Sequence, residues 1–540
     1  MESFRIKSAI FKLSCLIFFI NTGFLSFSGF SQKSPVVVGK EVITPQLIQD
    51  YVDFLASDSL KGRNTPSPGL DSAAVYLAGN FRRFGLQPLN GTYFQELDYC
   101  IMHLGNGNHL FIKSNEKTQE FAIKTDYVPY EMTADREVSG EVVFAGYGIT
   151  APEYNYDDYQ KIDARGKIVL IMRQEPGQTD TTSSLFLGSE LSKYANLKEK
   201  IKNAMAHGAV GMIVVNGPLN FNSLRPRGYP WPSLSKVLPQ DALPLQHCGS
   251  PEKKIPIVHA GEMVIRALLF SVDSLKHLQK RIDLTHEPLS FPLTGKMATL
   301  KTSVSETAMG GKNVFGYLEG NDPLLKRELL VVGAHYDHVG YMEHHKADTD
   351  YIYNGADDNA SGTSGVLATA KAFSMMGMKP KRSVLFILFA GEEKGLLGSS
   401  TYTRKPLFPL EETVCMINLD MISRNSPDTL YLIGKQQSPE LAEIIIGENK
   451  NTGFILVDEN KGEMSGGSDH YNFFRKGIPV MFFFTNLHDD YHEVTDNPDS
   501  IDALKASKVA QLVFLASWRI ANDNQRYKIM KTEEKASSTE

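Results

Sequence analysis

Between residues 329 and 484 four short, nearly continuous apolar runs recur: Leu329 to Ala334, Val384 to Ala390, Val414 to Leu419 and Ile478 to Phe484. Runs of this length without polar alternation predict strands covered on both faces. The segments between them, such as Ser361 to Met376 with Val366, Leu367, Ala370 and Phe373 on one side, have helical spacing. Strands alternating with helices predict an α/β fold, a mainly parallel mixed sheet sandwiched by helices.

Each run leads into acidic or histidine residues at its carboxyl end. The first ends in Ala334-His335-Tyr336-Asp337-His338, the second in Gly391-Glu392-Glu393, and the third in Asn418-Leu419-Asp420. The fourth passes through Thr485 and Asn486 to Tyr491-His492-Glu493, and Asp357-Asp358 lie in the loop after the first strand. In an open α/β sheet the ligand crevice lies outside the carboxyl ends of the strands, so these residues are expected to converge there. Two imidazoles and three or more carboxylates suit a pair of divalent ions, with zinc foremost. One bridging carboxylate and two terminal ligands per ion is the smallest set for two metals ~3.5–4 Å apart. A further carboxylate is needed to carry a proton from an activated water to a leaving nitrogen, and Glu392, adjacent to a ligand but directed differently, is the candidate. His338, His344, His345, His470 and His488 are not expected as ligands. Ser468-Asp469, after two glycines, reads either as a turn or as part of the pocket.

The rest of the chain frames this segment. A length of 540 residues implies two or three domains. From Thr44 to Gly85 apolar residues recur at helical spacing on either side of the loop Lys61 to Pro66. From about Gly140 the texture becomes that of strands (Glu141 to Ala145, Lys167 to Ile171, Val210 to Val215, Ile255 to His259), with a helix at Lys198 to His207 and a Pro-rich stretch from Pro218 to Pro256 around Trp231. This block reads as a small domain inserted into the larger one. Arg5, Lys7 and Lys12 precede an apolar, acid-free run to Phe30, the pattern of an export signal, with an uncleaved membrane anchor as the alternative for which the run is short and impure. Cys100, Cys248 and Cys415 follow it, so at most one internal bridge can form, and Cys415 inside an apolar strand reads as a buried thiol. The polar stretch 523–540 reads as a disordered tail. A net charge of −6 without a basic cluster argues against nucleic acid as a partner.

The segments HYDH (335–338), NGADDNASG (354–362), FAGEEKGLLGS (389–399), NLDMISR (418–424) and YHEVTDNPD (491–499) resemble the motif set of the co-catalytic di-zinc aminopeptidase family, whose relatives include glutamate carboxypeptidase and glutaminyl cyclase. LASDSLKGR (55–63) and NVFGYLEG (313–320) also fit that pattern. VVFAGYG (142–148) and HGAVGMIVVNG (207–217) resemble the protease-associated domain found within many of these enzymes.

The resemblance implies two Zn2+ per chain, one held by His335 and Asp420, the other by Glu393 and His492, with Asp357 bridging. It implies Glu392 as general base and later acid, Asp337 orienting the imidazole of His335, and Tyr491 stabilising the oxyanion. The family's cis peptide after the bridging aspartate is expected at Asp357-Asp358. Ser423 stands where the family usually has glycine. The implied layout is a signal at 1–31, peptidase at 32–138 and 291–522, and an inserted protease-associated domain at 139–290. The implied activity is removal of N-terminal residues from peptides outside the cell or in the periplasm, without stable membrane association. Alternatives are a carboxypeptidase or dipeptidase of the glutamate carboxypeptidase kind, for which Arg424 and Arg475 could serve a substrate carboxylate, a glutaminyl cyclase, and a receptor-like relative without activity.

Overall fold

The computed structural model describes residues 34–530 except 131, 179–185, 187–190, 227–241, 249–254, 344 and 459–466. The export-signal reading, Trp231 and residues 531–540 therefore lie outside the described residues. The four apolar runs form four adjacent parallel strands: β1 (Leu329–His335), β2 (Ser383–Phe389), β3 (Thr413–Leu419) and β4 (Val480–Phe484), in the spatial order β2-β1-β3-β4. Antiparallel pairings at both margins complete an eight-stranded mixed sheet. Lys312–Leu318 and then Phe94–Glu96 extend it beyond β2, and Thr429–Ile433 with Ile455–Val457 extend it beyond β4.

Why the runs are continuous rather than alternating is visible in the packing. Leu330, Val332 and Ala334 of β1, with Val384, Phe386 and Leu388 of β2, enter one core, which Gly362–Met375 and Ala503–Asn522 cover. Leu329 and Val331, with Leu385, Ile387 and Phe389, enter the core on the opposite face beside Tyr402 and Phe473. Successive side chains of a strand point to opposite faces, so two buried faces demand apolar residues at every position. The α/β reading stands.

A second eight-stranded sheet has the order Lys117–Phe121, His109–Ser114, Ser290–Thr302, Arg136–Ala145, Ile168–Met172, Gly211–Val215, Ile257–Ala260, Tyr127–Pro129. By strand pairing it reaches beyond residues 139–290 on both sides, because the 13-residue strand Ser290–Thr302 pairs with both Arg136–Ala145 and His109–Ser114. Cys100 and Cys248 are disulfide-bonded across a third, three-stranded sheet, and Cys415 is a buried free thiol. The stretch 523–530, expected as part of a disordered tail, is instead anchored. The Arg382 side chain donates to the carbonyls of Ile520, Asp523 and Gln525, and the Tyr527 ring is buried.

One buried side chain joins the first helical region to the sheet. Arg63 is 1% exposed. Its guanidinium donates to the carbonyls of Tyr336 (2.9 Å), Asn354 (2.7 Å), Gly355 (3.0 Å) and Leu55. The Tyr336 carbonyl follows the end of β1 and those of Asn354 and Gly355 open the 354–361 loop, so a single fork fixes two chain segments that carry site residues. Gly62 permits the close approach: its φ is +65° and an added Cβ would lie 2.2 Å from the Gly340 carbonyl oxygen. Arg63→Ala is expected to lower the free energy of unfolding by about 3 kcal/mol or more, because several buried carbonyls lose charged donors together. Arg165→Ala, which removes an 80% exposed guanidinium beside Asp163, is expected to leave the denaturation midpoint unchanged. Denaturant titration of the two variants is the check.

Candidate metal and catalytic site

The carboxyl ends of the strands meet in one crevice. β1 ends in His335, whose carbonyl accepts a hydrogen bond from the Thr363 hydroxyl (2.6 Å). Its Nε2 lies 3.2 Å from Asp420 Oδ1, at the end of β3, and 3.3 Å from Asp358 Oδ1. On the other side of Asp358, its Oδ2 lies 3.1 Å from His492 Nε2, which is also 3.1 Å from Glu393 Oε2. His338 Nδ1 stands 3.0 Å from Glu393 Oε1 and 3.7 Å from Asp358 Oδ2. Two donor groups result, His335–Asp358–Asp420 and His338–Asp358–Glu393–His492, and in each the potential ligand atoms lie within 4.8 Å of one another. Asp358 alone belongs to both.

Four of the five expected ligands are thus brought together: His335, Glu393, Asp420 and His492. Asp357 is not among them. Its Oδ1 accepts from the Ser361 hydroxyl (3.0 Å) and from both the amide (2.8 Å) and the hydroxyl (2.6 Å) of Ser423, while Oδ2 lies 3.3 Å from His488 Nε2. Asp358 takes the central place instead, and the cis peptide follows it, at Asp358–Asn359. The reason is local. Gly355, at φ +60°, packs where an added Cβ would meet the Asp358 carbonyl and the His338 ring. The turn it allows is pinned by Asp496, which accepts the amides of Asp357 (3.0 Å) and Asp358 (3.1 Å). Ser423, the departure from the usual glycine, serves as a donor to the Asp357 carboxylate.

The second expected set is placed with a difference. Glu392 Oε2 is 4.0 Å from His335 Nε2, outside both donor groups, at the end of β2. Asp337 presents its backbone carbonyl to His335 Nδ1 at 3.3 Å and its carboxylate at 3.8 Å. That carboxylate accepts from the Glu392 amide (3.1 Å) and the Thr65 hydroxyl (2.9 Å), and Thr65 in turn accepts from the Gly391 amide (3.1 Å). Asp337 thereby fixes the turn bearing Glu392 as well as facing His335. Tyr491 is 37% exposed and its ring stacks on that of His492 at 3.9 Å. Ser468 belongs to the pocket: it donates to Asp420 Oδ2 (2.7 Å) and accepts from Asn418 (2.8 Å).

Charge governs the crevice. Burial lifts the Glu392 carboxyl well above the usual carboxylate range, and Glu393, Asp420 and Asp469 add to this against the pull of His335. Burial opposes protonation of His335, yet Asp420 and Glu392 hold its pKa well above the ordinary histidine value. Burial likewise opposes His492, which Asp358 and Glu393 bring to about 10. Against the burial that raises it, Glu393 is drawn down to about 2 by its histidine neighbours. A buried set of carboxylates that raises His335 and His492 above the ordinary histidine value is a set that attracts positive charge. Imidazole and carboxylate donors with this spacing fit zinc.

Sequence reasoning missed Asp358, His338 and Asp496 in these places. All three lie inside the quoted motifs, but adjacent acidic residues give no sequence signal of which one faces the crevice.

Residues 313–517 match the family model described as Peptidase family M28, and residues 138–244 match the PA domain. Among curated proteins the chain is 27% identical over 448 residues to aminopeptidase YwaD of Bacillus subtilis (strain 168), covering 79% of this chain and 81% of that one. It is 31% identical over 192 residues to leupeptin-inactivating enzyme 1 of Streptomyces exfoliatus, covering 35% of this chain and only 39% of that one. Among solved structures, an aminopeptidase from Aneurinibacillus sp. strain AM-1 aligns with a TM-score of 0.47 at 19% identity, over 92% of this chain and 98% of that one. Residues 313–517, which hold all four strands of the crevice, thus match peptidase family M28, and residues 138–244 match the PA domain, in line with the motifs of the chain.

Proposed function

We propose that this protein is an exported aminopeptidase that binds two zinc ions per chain and removes N-terminal residues from peptides. The observation that carries the reading is the double membership of Asp358, whose two carboxylate oxygens face separate donor groups. His335 and Asp420 would hold one ion, Glu393 and His492 the other, with Asp358 between them and His338 beside Glu393. When bound, such a pair polarises a scissile carbonyl and lowers the pKa of the attacking water.

The chain's own residues supply the rest. Glu392, near the cluster but outside both groups, takes the proton from the attacking water on its carboxylate and returns it to the departing amine nitrogen. Asp337 and Thr65 hold the backbone turn that aims Glu392. Tyr491, beside His492, offers its hydroxyl to the oxygen on which negative charge develops. The aminopeptidase relatives support N-terminal rather than C-terminal specificity. So does Arg424, which is occupied by Asp490 and Ser500 and faces Asp496 at 3.9 Å instead of offering its fork to a substrate carboxylate. Export draws support from the N-terminal signal pattern and from the Cys100–Cys248 disulfide, a bond that persists in oxidising compartments. Among the described residues no helix is long and apolar enough to cross a membrane.

A panel of aminoacyl anilides, N-blocked peptides and dipeptides, assayed with and without a chelator, tests this reading. Hydrolysis of free N-termini that chelation abolishes and zinc restores is expected; cleavage confined to blocked N-termini would contradict it. Metal content then separates the acidic neighbours. Glu392→Gln is expected to retain zinc while losing about 10²–10⁴-fold in kcat. Asp358→Asn is expected to lose zinc, and Asp357→Asn to keep it.

A further inference from the structure

His335 ends β1 and Asp420 directly follows β3, where Ser468 holds its carboxylate at 2.7 Å. His492 has no such footing. It lies well beyond the end of β4, in a loop that begins and ends on left-handed residues other than glycine, Asn486 at φ +73° and His492 itself at φ +58°. Such conformations persist only where the surroundings over-determine them. We infer that Arg424 and Asn425, which reach this loop from the segment after β3, are positioning residues. They preset His492, and so govern the Glu393–His492 group apart from the His335–Asp420 group. The inference rests on the zinc peptidase reading of the site.

The two side chains grip different parts of the loop. Asn425 Nδ2 faces three successive carbonyls at its start, those of Thr485 (2.8 Å), Asn486 (3.0 Å) and Leu487 (3.2 Å). Asn425 is itself left-handed, at φ +65°, a conformation asparagine tolerates better than most residues. Arg424 takes the far part. Its guanidinium donates to the Asp490 carboxylate and to the Ser500 hydroxyl (2.9 Å), and lies 3.9 Å from Asp496 Oδ1. Asp490 also accepts from the Thr495 hydroxyl (2.6 Å). Around it the backbone closes on itself, with Tyr491 N to His488 O and Glu493 N to Asp490 O both at 3.0 Å. Holding Asp490 therefore holds the short turn that carries Tyr491 and His492. A planar fork bonded to two oxygens sets orientation as well as distance. The Arg424 carbonyl in turn accepts from the Lys505 ammonium on the helix Ala503–Asn522, which anchors the grip to the core.

Neither Arg424 nor Asn425 belongs to a donor group. The loop is fastened at both ends independently of them. The Thr485 amide and hydroxyl donate to the Met421 carbonyl (2.9 and 2.7 Å), and Asp496 accepts the amides of Asp357 and Asp358. Between these ends the grip comes from Arg424 and Asn425, with His488 Nε2 3.3 Å from Asp357 Oδ2 as a further contact. Loss of either grip therefore loosens the stretch around His492 and leaves β1, β3 and the first donor group in place.

Zinc-loaded full-length protein, titrated with a chelator while zinc per chain is followed, tests the inference. One zinc is expected to leave at a lower chelator concentration than in the wild type, by about tenfold in Asn425→Gly and up to about 100-fold in Arg424→Met. Glycine keeps the left-handed backbone accessible and removes only the amide. The other zinc is expected to stay, as it does in His492→Ala. Arg424→Lys, which keeps the charge opposite Asp490, is expected to restore part of the difference. Hydrogen exchange of residues 486–493, measured on the same variants without metal, is expected to quicken while β1 and β3 exchange as before. Unchanged exchange at 486–493, release of both ions together, or quickened exchange throughout the sheet overturns the inference. Each leaves the peptidase reading, which hydrolysis of leucine p-nitroanilide by the wild-type protein tests separately. Quickened exchange confined to 486–493, in a protein that neither holds zinc nor hydrolyses the anilide, would establish the grip on the loop and remove the peptidase reading.

Discussion

Mutual repulsion of buried carboxylates is the constraint around which this molecule is built. Asp358 and Asp420 are 3% and 6% exposed and share a crevice with Glu392 and Glu393. Such a cluster is costly unless each charge is paired or hydrogen-bonded. The fold meets the cost with fixed donors. Ser468 serves Asp420, the histidines serve Asp358 and Glu393, and Asp496 grips the backbone that presents Asp358. What remains is an excess of negative charge at one point, which is what a site for divalent cations requires.

The supporting frame reaches far along the chain. Arg63 and Thr65, from the first helical region, clasp the ends of the strands and the turn of Glu392, so residues 273 to 326 positions apart set one geometry. The three-stranded sheet is tied in near the same region. Asp98, next to the disulfide-bearing strand, pairs with Arg404 and Lys405, and Tyr99 donates to Ser400 at 2.9 Å. These links fall on the helix that follows the Glu392 turn, so the three-stranded sheet is fastened to an element next to the site.

The sheet was legible because its strands are buried on both faces: Leu329 to Ala334 or Val384 to Ala390 could hardly form anything else. The crevice was legible for the same reason, since strand ends are where polar residues must emerge. What the sequence did not disclose was direction. Asp357 and Asp358 are identical side chains one position apart, and only the turn at Gly355, with Asp496 holding two successive amides, decides which carboxylate faces the histidines. His338 was hidden similarly, because its imidazole reaches Glu393 through pairing of its own backbone with Arg63, a contact made across the chain. The 523–530 segment looked like a tail because its polar composition carries no record that Arg382 would gather its carbonyls.

The central claim is that Asp358 joins two cation positions. A crystal structure of zinc-loaded protein, with anomalous differences measured at the zinc edge, tests it most directly. Two peaks are expected, each within about 2.0–2.2 Å of an Asp358 oxygen, one beside His335 and Asp420 and the other beside Glu393 and His492. A single peak, or two peaks bridged by Asp357, would contradict the account.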